Sequence, residues 1–79
     1  MSITPAQCRG ARGMLGWTQG RLARGANVTR EAVAYFEAEK REIDTYPLSL
    51  IEKALEAGGI IFVEENGEGP GVRLRKSKA

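Results

Sequence analysis

Apolar residues recur three and four positions apart through most of this chain. Beyond a pair of glycines they switch to a short run and then to alternation. The first helical stretch opens at Thr4-Pro5-Ala6-Gln7, where a threonine cap, a proline at the first helical position and a glutamine three residues past the cap make a capping box. Cys8, Ala11, Met14 and Leu15 follow at helical spacing and predict an inward stripe, ended by Gly16. Cys8 reads as a small buried hydrophobe and Trp17 as a packing residue at a helix junction. Thr18 caps a second helix carrying Leu22, Ala23 and Ala26 inward. Thr29 caps a third, from about Arg30 to Ala38, with Val33 and Phe36 inward and Ala32 or Glu37 beside them. A fourth helix is predicted to begin near Pro47, bury Leu48, Ile51, Ala54 and Leu55, and end at Gly58-Gly59. Ile60-Ile61-Phe62-Val63 then reads as a strand, residues 65–71 as a breaker-rich turn, and Val72-Arg73-Leu74-Arg75 as a second strand.

The stretch Thr18–Glu37 organises the rest. Between its two helices lies Ala26-Asn27-Val28, and asparagine is one of the few non-glycine residues that tolerates the positive φ of a sharp helix-to-helix turn. Helix, turn of three to four residues and second helix make a helix-turn-helix, whose second helix suits a DNA major groove. On the third helix Arg30, Glu31, Ala34 and Tyr35 are left outward. Gly20 stands inside the second helix at a cost of roughly 1 kcal/mol against alanine. Close approach to another backbone and simple local packing are both open explanations.

Charge sharpens this picture. The net charge is only +2, but residues 1–41 hold seven Lys/Arg against three Glu, a net of +4. Residues 42–68 hold one Lys against seven acids, a net of −6, and the last eleven residues carry +4. A basic half and an acidic middle suit a protein that offers one face to a polyanion. The single cysteine excludes an intrachain disulfide. The absence of histidine excludes a Cys/His zinc site and a Ser-His-Asp triad, so no enzyme chemistry and no cofactor are implied. No apolar run approaches the roughly 18 residues of a membrane span and no signal peptide is visible, so a cytoplasmic location is the expectation. Seventy-nine residues give a core worth only about 3–5 kcal/mol, for which oligomerisation is a natural support. The first strand is apolar on both faces, and a second copy of the chain would cover the face its own helices do not.

Residues 15–41 resemble the Cro/phage-repressor (XRE-type) helix-turn-helix family of small bacterial regulators. The resemblance is carried by LGWTQ (15–19), Leu22-Ala23, Ala26-Asn27-Val28-Thr29, Val33 and Phe36-Glu37, without a gap, and extends from Ile3 to about Gly58. The extension GGIIFVEENGEGPGVRLRK is similar to one on many small bacterial members. The chain departs from the family at Asn27, which replaces the usual turn glycine, and at Gly20 and Arg21, where acids or alanine are common. Glu39 replaces a frequent glycine after the third helix.

The resemblance implies a mainly α fold: a four-helix lambda-repressor-like domain over residues 1–58 and a C-terminal β-hairpin or strand extension over 59–79, ending in a basic tail. It implies base-reading roles for Thr29, Arg30, Glu31 and Tyr35, and phosphate contacts from Thr18, Gln19, Asn27, Lys40 and Arg41. It also implies a structural ion pair between Arg12 and Glu37, and dimerisation through Ile60, Ile61, Phe62 and Val63. The expected partners are double-stranded DNA and a second copy of the chain, with no membrane. RNA polymerase is a further candidate for the acidic region 42–68, whose plainer reading is a solvated surface. The expected function is a homodimeric, sequence-specific transcriptional regulator, repressor or activator, on an inverted repeat that includes its own promoter. The alternative is an antitoxin-like or adaptor protein that holds a protein partner through its C-terminal strands.

Overall fold

A computed structural model describes residues 2–40 and 42–76. The element order is α1 (Pro5–Leu15), α2 (Gln19–Ala26), α3 (Arg30–Glu37), α4 (Thr45–Ala57), β1 (Ile60–Val63) and β2 (Gly71–Leu74). The fold is mainly α with a short C-terminal hairpin, as the sequence predicts.

Local chemistry sets the helix ends. Thr4 accepts from the Gln7 N–H at 3.1 Å, and the Gln7 side chain accepts from the Thr4 N–H at 2.8 Å, completing the capping box. Gly16 closes α1 in the left-handed conformation at φ 68°. Thr18 and Thr29 cap α2 and α3 by accepting from the N–H groups of Arg21 and Ala32 at 3.0 and 3.1 Å. Asn27 ends α2 at φ 59°, the left-handed turn expected of it. The third helix closes through another left-handed residue, Glu39 at φ 58°, behind which the Lys40 N–H returns to the Tyr35 carbonyl.

The core gathers Ile3, Cys8, Ala11, Leu22, Ala23, Ala26, Val33, Phe36, Ile51, Leu55 and Ile60. Two helix expectations need correction. Met14 is 47% exposed, because the stripe runs through Cys8, Ala11 and Leu15 and Met14 falls at its edge on the last turn. Helix α4 starts at Thr45, two residues before Pro47, with Asp44 at the cap position. A proline within the first turn removes only an N–H that has no intrahelical acceptor, so the helix can begin ahead of it.

The hairpin is antiparallel, with Ile60 opposite Leu74, Ile61 opposite Arg73, Phe62 opposite Val72 and Val63 opposite Gly71. Its second strand therefore begins at Gly71, one residue earlier than predicted. Directly opposed residues share a face, so Ile60, Phe62 and Val72 turn toward the helices. Ile60 is 1% exposed. Within the expected dimerisation set, Ile60 belongs to the chain's own core and Phe62 packs against it, while Ile61 and Val63 lie on the other face. The helices also grip the hairpin by its backbone, since Gln7 Nε2 donates to the carbonyls of Val63 (3.2 Å) and Gly71 (3.0 Å). In the connecting loop one carboxylate oxygen of Glu65 accepts from the N–H groups of Gly67 and Gly69, at 2.7 and 3.0 Å. At least one acid of the 42–68 region thus shapes a turn.

Candidate nucleic-acid interface

The α2–turn–α3 unit is built around a buried carboxylate. Glu37, at the end of α3, is 3% exposed. Burial alone would require this charge to be neutralised or matched. Four donor atoms from α1 and α2 match it. Arg12 makes a two-pronged pair, Nη2 to Oε1 at 2.6 Å and Nε to Oε2 at 2.7 Å. Gln19 Nε2 donates to Oε1 at 3.0 Å, and the Cys8 thiol donates to Oε2 at 3.1 Å. The remaining guanidinium nitrogen of Arg12 donates to the Trp17 carbonyl at 2.9 Å. Arg9, one turn before Arg12, donates to the Glu37 carbonyl and so ties the last turn of α3 to α1.

The protonation states follow from this geometry. Burial pushes the Glu37 carboxyl up. The hydrogen bonds from Arg12, Gln19 and Cys8, with the Arg12 charge, outweigh burial and hold it below its ordinary value. Burial, and then the hydrogen bond to Glu37, push the Cys8 thiol well above its usual range, so it stays protonated as a donor. The hydrogen bond to Glu37 raises the Arg12 guanidinium further. Two of these roles are absent from the sequence reading. Cys8 is a polar partner as well as a small hydrophobe. The Gln19 side chain is drawn inward to Glu37. Arg9 and Arg12, three apart on one face of α1, were the visible signal that two cations reach one residue, Arg9 its carbonyl and Arg12 its carboxylate.

With its inner edge held, α3 presents the opposite edge to solvent. Arg30 and Glu31 are exposed on its first turn and Tyr35 is 41% exposed one turn on, while Ala34 is half-buried between them. Thr29 is exposed, its oxygen engaged as the cap. Thr18, Asn27 and Lys40 are also exposed. Arg41 lies outside the described residues. The structure thus brings Thr18, Thr29, Arg30, Glu31 and Tyr35 to the outer surface of two adjoining helices. It sets Lys40 beyond the far end of α3.

The model of the Cro/phage-repressor (XRE-type) helix-turn-helix family matches residues 9–58. The chain belongs to this family. Comparison with curated proteins gives no significant match. Membership makes the helix-turn-helix a DNA-binding unit, and the chain in general terms a DNA-binding transcription regulator. The family is a regulatory one and typically non-enzymatic. Among the described residues no helix is long and apolar enough to cross a membrane.

Proposed function

We propose that this protein is a homodimeric, sequence-specific transcriptional regulator that reads an inverted repeat, including one at its own promoter. Each subunit lays α3 in a major groove, with half-sites one helical turn, roughly 34–36 Å, apart. Arg30 donates two hydrogen bonds to a guanine, Glu31 accepts from a cytosine or orients Arg30, and Tyr35 meets a thymine methyl or a phosphate. The Gln19 backbone, with Thr18, Asn27, Lys40 and Arg41, supplies the salt-dependent contacts to phosphates. The observation that carries this reading is the division of α3: Val33, Phe36 and Glu37 are buried, whereas Arg30, Glu31 and Tyr35 stand in solvent. Footprinting upstream of the gene locates the operator. Arg30→Ala should then cost about 1–3 kcal/mol in operator binding while the circular dichroism spectrum is unchanged. Unchanged operator affinity in the folded variant would remove Arg30 from the reading head.

The hairpin supports a second reading. Its outward face shows Ile61, 37% exposed, and a two-stranded sheet has free edges to which a partner's strand can add. An antitoxin-like or adaptor role would use that face for a different protein. A stable dimer of the isolated chain in sedimentation favours the regulator, and a monomer favours the adaptor.

A further inference from the structure

The outer side of α2 carries a glycine that packing does not require. Gly20 lies in the first turn, and the nearest atoms to the position of a Cβ there all belong to side chains. They are Arg24 Nη1 at 3.7 Å, Arg30 Cδ at 3.8 Å and Thr18 Oγ1 at 3.9 Å. These are ordinary contact distances, so the fold would accept a side chain at this point. What lies over the bare backbone is the guanidinium of Arg24 beside the aliphatic stem of Arg30, from two different helices. Arg24 reaches back one turn along α2, the direction in which long helical side chains lean. Arg30 comes from the start of α3. Both are exposed. Neither guanidinium forms an ion pair or hydrogen bond with any of the described residues. Two unpaired cations whose side chains leave from one backbone point make a positive surface that draws an anion. Arg12, Arg9 and Arg21 differ in this respect. The first two are engaged with α3, and Arg21 lies over the Trp17 ring at 4.9 Å.

We propose that Arg24 is a further DNA-backbone contact, gripping a phosphate over Gly20 beside the base that Arg30 reads. The proposal rests on the DNA-reading assignment above. Gly20 is the opening that lets the phosphate and both arginine stems approach one point. Arg24 confers affinity without sequence preference, because phosphates carry no base information.

The test is fluorescence anisotropy with two labelled duplexes, one of arbitrary sequence and one selected in vitro by the wild-type protein, across a potassium chloride titration. Arg24→Ala should lower the slope of log K against log salt by about 0.9 and weaken both duplexes alike, about five- to tenfold at 0.1 M salt. Lys53→Ala on the exposed side of α4 removes the same charge elsewhere and should leave the slope unchanged. An unaltered slope in Arg24→Ala overturns the proposal. So does an equal fall in both variants, which would be a bulk charge effect, and so does a loss confined to the selected duplex, which would make Arg24 a base reader. If the wild-type protein itself shows no salt-dependent binding to either duplex, the DNA-reading assignment falls first.

Discussion

Glu37 shows how one residue can hold a reading head in place. Its carboxylate is matched by Arg12, Gln19 and Cys8, so removing its charge leaves Arg12 without a counter-ion in a mostly buried position. Glu37→Gln should therefore lower stability by about 3–5 kcal/mol in urea unfolding at neutral pH. The pH dependence has a definite sign. The folded carboxyl is held below its ordinary value of 4.5, so its contribution is complete above that value and drains away as the pH falls toward the lower folded one. The stability gap between wild type and Glu37→Gln should narrow on acidification below about pH 4.5. Two residues further on, Glu39 occupies a left-handed position that glycine takes without strain. Its contact with Arg9 is 4.0 Å between exposed groups and contributes little. Glu39→Gly should raise stability by about 1 kcal/mol, read as a higher thermal midpoint.

Between elements, the tightest joint is where α4 ends against the α1–α2 junction. A Cβ at Gly58 would lie 2.8 and 2.9 Å from Trp17 ring atoms and 3.0 Å from Leu15 Cδ1. The backbone there is ordinary, φ −78°, so the demand for glycine is one of space. Gly58→Ala should cost about 1–3 kcal/mol through displacement of the indole, with a shift in tryptophan emission reporting the move. The same joint explains why the double glycine is more than a helix stop. It lets Trp17 lie on the end of α4 while the chain turns into β1, so that Ile60 enters the core.

For the whole molecule, the outward face of the hairpin is the apolar surface that its own helices leave bare. A two-stranded hairpin is marginal alone, and here its inner face and one end are held by the helices and by Gln7. Ile61 and Val63 are the apolar residues of the other face. Ile61→Glu should convert a sedimenting dimer into a folded monomer, with its own stability changed by no more than about 0.5 kcal/mol, and should weaken operator binding. A variant that remains dimeric would place the interface elsewhere.

The sequence alone determined the parts governed by near neighbours. Capping threonines, the Pro5 start, Asn27 in the turn and the change from helical to alternating pattern all act within a few residues, so they were legible without coordinates. Helical spacing also left Arg30, Glu31 and Tyr35 outward on α3, and the family motif added the Arg12–Glu37 pairing. What the tertiary structure decided depends on which distant surfaces meet. Cys8 and Gln19 are short-range unremarkable, yet both turn to one carboxylate because α1, α2 and α3 converge on it. Ile60 and Ile61 are identical side chains one residue apart. Only the packing of the hairpin on the helices sends the first into the core and leaves the second exposed, because adjacent strand residues point to opposite faces.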